Sequence, residues 1–325
     1  MLTQEQYAFY QQEGYVIVPD LFSTSQLSAV LEAAEQNAYG KSFAEFQTEL
    51  KANPDLEEEM RLPGAGLGFA GPRAEWCDIP TGVECVDRVL EHDPFLDALE
   101  QLLDTPEIQY HHGYVYVRNG RIDRRTPPKP EAEFHLDWAK PMMPPHPDWQ
   151  RYGHLQAWVL LDDIDEDCAP VRLVPKVHNK MGDVLRQIED DGLGFGDIRK
   201  VPHPYRFADI GQIPHAQEPV SITGKKGTVV FYSSHTPHAA QPFADKDRQR
   251  AVVFFSIGRR DTIAWTSTAK READVARRVK PFLAKTTSRV RSLFGWPKPG
   301  SELYTPISVE LIKNAYPEMD VSDYL

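Results

Sequence analysis

Three sets of residues have the types and spacing to do chemistry. The first is His135-Leu136-Asp137. On a strand, residues i and i+2 point to the same face, so an imidazole nitrogen and a carboxylate oxygen can reach one ion. A lone pair of this kind is common by chance. The second is His238, 101 residues after Asp137, with His235 as a rival three residues earlier. Two histidines and one carboxylate on one face, with positions left open opposite, form the arrangement used by non-heme Fe(II) oxygenases. The third is the pair Arg248 and Arg250, ten and twelve residues after His238. An arginine on the next strand can grip a carboxylate through two parallel bonds. Arg248 sits in the charged run Asp245-Lys246-Asp247-Arg248, which suits a solvated turn. Arg250 leads the apolar run 251–255, which suits a buried partner.

These residues need strands to hold them. Val115-Tyr116-Val117 and its neighbours, Phe134 to Trp138, Leu155 to Leu161, Val171 to Val174, Thr228 to Tyr232 and Arg250 to Phe255 all read as strands. Upstream, Thr3 with Gln6 and Ser23 with Gln26 are two capping boxes. Gly14 is placed to end the first helix. Tyr15-Val16-Ile17-Val18 forms a short strand between the two helices. Residues 40–80 read as irregular, and the glycines at 64, 66 and 68 lack the strand–turn–helix context of a phosphate loop. Residues 86–104 read as a helix broken near Pro94, and 270–290 as a basic helix. Short strands with helices at both ends predict a mainly β fold with flanking helices, a jelly roll or double-stranded β-helix. Strict βαβ alternation is absent.

Composition bounds the function classes. The chain has 325 residues, a net charge of −12, and three widely spaced cysteines, Cys77, Cys85 and Cys168. The acidic balance argues against nucleic acid and anionic membranes, which need a basic face. No apolar run long enough for a membrane span occurs, and residues 1–15 lack the apolar stretch of a signal peptide. The cysteines fit no zinc pattern and suggest a reducing compartment. A cytoplasmic protein, monomeric or homodimeric, acting on a small molecule is the expectation.

Several ordered segments resemble the phytanoyl-CoA dioxygenase family of Fe(II)/2-oxoglutarate oxygenases, over about residues 1–260. They are Leu2 to Gln6 with Glu13-Gly14-Tyr15-Val16-Ile17-Val18-Pro19, Phe134 to Trp138, Ala157 to Asp163, Ala169 to His178, and Gly227 to His238. The last spacing favours His238 over His235. The resemblance implies iron held by His135, Asp137 and His238, with 2-oxoglutarate and O₂ as cosubstrates. It implies hydroxylation of a small-molecule substrate with release of succinate and CO₂. The family places its 2-oxoglutarate arginine eleven residues after the distal histidine. Here that position is Gln249, so Arg250 or Arg248 takes the role after a one-residue shift. Trp158 matches a family tryptophan near the cosubstrate. Gln156 shares its face, and Tyr116 and Arg118 on the preceding strand are further candidates for 2-oxoglutarate contact. Arg172 could hold an anionic substrate or a surface carboxylate such as Asp167. Met142 and Met143 could line the mouth.

One domain is expected: a helical buttress (1–107, with an insertion at 40–80), a jelly-roll core (108–260, with a lid at 180–220) and a helical extension (261–325). Two other readings are a cupin-like isomerase or hydrolase that uses no 2-oxoglutarate, and a non-catalytic binding protein. The first gains if both arginines face solvent.

Overall fold

Thr3 and Gln6 open helix α1 (Gln4–Glu13) with a complete capping box, and Ser23 and Gln26 do the same for α2 (Thr24–Tyr39). The computed structural model describes residues 1–61, 71–123, 134–136, 148–184, 205–207, 210–262 and 275–325. Between the two helices, Gly14 turns the chain in the left-handed region (φ 83°) into strand β1 (Tyr15–Val18).

That turn is crowded. A Cβ on Gly14 would lie 2.5 Å from His178 Nδ1 and 2.8 Å from Thr236 Oγ1. The Thr236 hydroxyl donates to the Gly14 carbonyl at 2.9 Å. Gly14→Ala therefore combines a left-handed backbone penalty of about 1–2 kcal/mol with a clash of similar size. Urea denaturation should show a loss of about 2–4 kcal/mol. A loss under about 0.5 kcal/mol would show that the turn relaxes freely.

Residues 40–80 depart from the irregular reading. They hold α3 (Phe43–Ala52) and α4 (Pro54–Arg61). The signal was present in the chain. Ser42 and Glu45 form a third capping box, and Phe46 and Leu50 bury one face at i, i+4. The segment 86–104 is broken as expected. Helix α5 (Glu84–Asp87) and a 3₁₀ turn (Arg88–Glu91) precede α6 (Asp93–Leu102). The basic segment splits into a π-helical turn (Val275–Val279) and two short helices (Lys280–Lys285 and Ser288–Leu293), and a further helix spans Pro306–Ala315.

Two antiparallel five-stranded sheets form the core. The large sheet runs β1, β8 (Val229–Ser233), β4 (His154–Leu160), β10 (Gln249–Arg259), β2 (Ile108–Asn119). The small sheet runs β6 (Tyr205–Phe207), β3 (Phe134–Leu136), β9 (His238–Ala240), β5 (Val171–Leu173), β7 (Val220–Ile222). From β2 to β5 the strands alternate between the sheets, β6 and β7 stay in the small sheet with β5, and β8 to β10 alternate again, a two-sheet arrangement of the jelly-roll kind. Strand β6 lies inside the segment expected to be a lid.

The large sheet separates two environments by period-2 alternation. Val115, Val117, Ala157, Val159, Val253 and Phe255 join a cluster with Phe95, Leu96 and Leu99 of α6. Phe95 packs on Phe231 and Phe255 at ring distances of 5.8 and 5.5 Å. The opposite face, with Tyr116, Leu160 and Val252, or Val230 and Tyr232, looks toward the small sheet. The expectation of a mainly β chain is corrected. Of the described residues 41% are helical and 22% lie in strands, because helices cover the outer face of the large sheet. Among the described residues, no helix is long and apolar enough to cross a membrane.

Candidate metal and cosubstrate site

Strands β3 and β9 are neighbours, and His135 and His238 are direct partners in their register. Their ring centroids are 4.2 Å apart with planes tilted by 49°. His238 Nδ1 is 3.2 Å from the Thr236 carbonyl oxygen. A carbonyl only accepts, so Nδ1 carries the proton and Nε2 keeps the lone pair, the form that binds a metal. Two adjacent imidazoles, one with its tautomer set, fit a divalent ion such as Fe(II). Asp137 follows β3 directly and lies outside the described residues, as do Trp138, Met142 and Met143. His235 sits in the turn before β9, with Nδ1 3.3 Å from Ser234 Oγ.

Arg250 is on the inner face of β10 and only 1% exposed. One terminal nitrogen, Nη1, donates to the Ala169 carbonyl. Its Nε and Nη2 have no hydrogen-bond partner among the described residues. The guanidinium lies over the rings of Trp158 and Tyr116, 5.1 and 5.2 Å from their centroids. Burial, and then the neighbouring Arg118, pushes its pKa down to about 10, so it is still cationic at neutral pH. A buried cation with two unused donors is stabilised by an anion placed against it.

A narrow recess opens from Arg250, walled by Trp158, Leu160, Val171, Leu173 and Tyr232 among others. It leads toward the histidines. Leu173 is the register partner of His238, and the Tyr232 ring is 5.1 Å from the His238 ring. Trp158 Nε1 donates to the Tyr232 hydroxyl at 3.2 Å, which fixes both walls. The recess is thus lined by aliphatic and aromatic side chains and cationic at its end, and two of its walls, Leu173 and Tyr232, adjoin His238.

Arg248 and Arg250 both reach the loop 163–169 after β4, but only Arg250 is buried. Strand β10 begins at Gln249, and Arg248 belongs to the turn before it, where its N–H reaches the Asp245 carbonyl. The Arg248 guanidinium instead pairs with Asp165 at 2.8 Å and the Asp163 carbonyl at 3.2 Å, near the surface. Gln249 faces the helices. Its carboxamide accepts from Tyr39 Oη at 3.2 Å and donates to Glu35 at 2.6 Å. Arg118, beside Arg250 in the register, is paired with Asp123 and with the Gln241 carbonyl. Arg172 pairs with Glu218 at 3.2 Å, not with Asp167. Gln156 is fully buried on the inner face of β4, one alternation from Trp158. Tyr232 was legible only as part of an apolar strand. Its place beside His238 depends on pairing between distant strands.

Residues 10–251 match the family described as Phytanoyl-CoA dioxygenase (PhyH). Among solved structures, the fold is similar to the non-heme alpha ketoglutarate dependent epimerase SnoN from nogalamycin biosynthesis. That match has 18% identity and a TM-score of 0.51, covering 83% of this chain and 88% of the other. EctD from S. alaskensis in its apoform is similar at 17% identity and a TM-score of 0.50, covering 79% and 77%. No curated protein sequence matches the chain. At these identities the structural likeness is one of fold.

Proposed function

The chain belongs to the phytanoyl-CoA dioxygenase family, and on that premise we propose that it is an Fe(II)- and 2-oxoglutarate-dependent dioxygenase that hydroxylates a small molecule. The observation that carries this reading is Arg250, buried with Nε and Nη2 unpaired at the end of a recess that leads to His135 and His238. Its burial also counts against a metal isomerase or hydrolase without 2-oxoglutarate, which has no use for a sequestered cation there.

Each residue has a role in this reading. His135, Asp137 and His238 hold the iron. The Thr236 carbonyl keeps the proton of His238 on Nδ1, so that Nε2 stays a ligand. Arg250 grips the distal carboxylate of 2-oxoglutarate, and its pKa near 10 keeps that grip through neutral pH. Tyr116 and Trp158 support the guanidinium through their ring faces. Leu160, Val171 and Leu173 line the recess and keep water from the carboxylate contact, which strengthens it. When bound, the iron supplies activation of O₂, coupled to loss of CO₂ from 2-oxoglutarate. The balance is R–H + O₂ + 2-oxoglutarate → R–OH + succinate + CO₂. The fold and residues suit a protein working in the reducing cytoplasm, where Fe(II) persists.

The test is succinate formation from 2-oxoglutarate by the Fe(II)-loaded protein under air, without and with candidate substrates. Succinate is expected to match 2-oxoglutarate consumed and to depend on added Fe(II). Absence of both succinate and Fe(II)-dependent binding of 2-oxoglutarate would sink the reading.

A further inference from the structure

The inner face of the large sheet carries a second set of polar groups at the level of the histidine pair. Across the strands, His112 on β2 lies opposite Ser256 on β10, Ser256 opposite Gln156 on β4, and Gln156 opposite Tyr232 on β8. The row therefore starts beside His238, which the Tyr232 ring touches, and crosses three strand gaps away from it. Adjacent strands are about 4.8 Å apart, so the row is roughly 14 Å long.

Two of its members are unusual. Gln156 and Ser256 are fully buried, and the carboxamide nitrogen, the carboxamide oxygen and the hydroxyl all lack a hydrogen-bond partner among the described residues. A carboxamide offers two donors and an acceptor, and a hydroxyl offers one donor and two lone pairs. Buried polar groups are rarely left in this state, and a bound ligand is one way to satisfy them. The two side chains project from directly opposed positions, about 5 Å apart at Cβ, so one small group can bond to both.

The cosubstrate does not account for them. Ser256 is six residues along β10 from Arg250, about 20 Å between backbones, and the Arg250 guanidinium reaches back only to the Trp158 ring, two residues short of Gln156. The next inward positions toward Arg250 are Tyr114, Phe254 and Trp158, an aromatic floor in which Tyr114 stacks on Phe254 at 4.6 Å. Among the described residues, neither this floor nor the polar row contains a carboxylate, a lysine or an arginine.

We propose that Gln156 and Ser256 recognise the primary substrate, and that this substrate is uncharged. It presents a hydroxyl or an amide to the two side chains and an apolar ring to the aromatic floor. The assignment deepens the dioxygenase reading and rests on it for the identity of the site. It also moves Gln156 from cosubstrate to substrate.

The test uses shape-matched probes on the protein loaded with Fe(II) and 2-oxoglutarate under nitrogen, so that Arg250 is occupied and no turnover occurs. Benzamide and benzyl alcohol are the neutral probes, and benzoate and benzylamine the charged ones. Binding is read by ligand-observed NMR. The neutral probes are expected to bind at least fivefold more tightly than the charged ones. Gln156→Leu and Ser256→Ala should each weaken them at least fivefold, while 2-oxoglutarate affinity changes less than twofold. Ser256→Ala, which removes one oxygen, keeps the test open if Gln156→Leu does not fold. Neutral probes that do not bind, charged probes that bind as well, or variants that bind like the parent overturn the proposal. So does a Gln156→Leu variant that loses 2-oxoglutarate instead. If the parent protein fails to bind 2-oxoglutarate, the dioxygenase reading falls. The neutral-probe comparison between parent and variants, which does not need 2-oxoglutarate, still decides the role of the pair.

Discussion

In Arg250→Met, the KM for 2-oxoglutarate is expected to rise on the order of 10²- to 10³-fold. Removing one partner of a buried, hydrogen-bonded charge pair typically forfeits about 2–5 kcal/mol, and each 1.4 kcal/mol is tenfold in affinity. Arg250 is 1% exposed and has two donors to give, so its contact with a carboxylate falls in that class. Arg248→Ala should change the same KM less than about threefold. Its partners are Asp165 and the Asp163 carbonyl near the surface, where an ion pair contributes little. A second consequence has the opposite sign. Without cosubstrate, the Arg250 guanidinium is a buried cation short of partners, and an apolar side chain of similar length in its place should stabilise the empty protein by about 1 kcal/mol or more. Thermal melts should therefore show a higher Tm for empty Arg250→Met and little further rise on adding 2-oxoglutarate. The reverse order of the two arginine variants in KM would show that the cosubstrate is held elsewhere.

Asp137→Ala and His238→Ala should each abolish coupled turnover, with a fall of at least about 10³-fold. Fe(II) affinity should fall by more than the 10- to 100-fold that follows from losing an outer partner of a metal ligand alone. His235→Ala separates the two candidate histidines. Its imidazole lies near Ser234, and the strand register opposes His135 to His238 rather than to His235, so Fe(II) affinity should stay within about threefold. Equilibrium dialysis of Fe(II), with succinate formation measured in parallel, checks all three variants. Full activity in Asp137→Ala would remove the carboxylate from the ligand set. An iron loss in His235→Ala equal to that in His238→Ala would do the same for the choice of distal histidine.

The sequence made the caps and the strands legible because their signals are local. Thr3 with Gln6, Ser23 with Gln26, and Gly14 act within one turn of chain, and each appears as expected. Helices α3 and α4 were missed because Pro54 and the acidic residues obscured a capping box at Ser42 and an apolar stripe at Phe46 and Leu50. The histidine pair was legible through residue type and spacing. Their direct opposition comes from a register that spacing alone does not state. The arginines show the limit most clearly. Spacing does not separate them and burial does: Arg250 lies inside β10 and is 1% exposed, whereas Arg248 precedes the strand and pairs with Asp165. Ser256 went unread for a related reason. The strand runs past the apolar segment to Arg259, and a serine at the end of an apolar run carries no local sign of what lies opposite.

The register of the large sheet also constrains the order in which the protein can fold. Tyr15 pairs with Tyr232, and Asn119 pairs with Gln249, so strands made early wait for partners made more than a hundred residues later. Strand β10 is an interior strand of that sheet, flanked by β2 and β4, and among the described residues it is also the last strand synthesised. Until it emerges, the facing edges of β2 and β4 have nothing to pair with, and closure over long loops is slow. The arginine and Ser256 ride on this final strand. The site is therefore completed at the end of folding, and a nascent chain that stalls before residue 249 exposes two unpaired edges open to association with other chains.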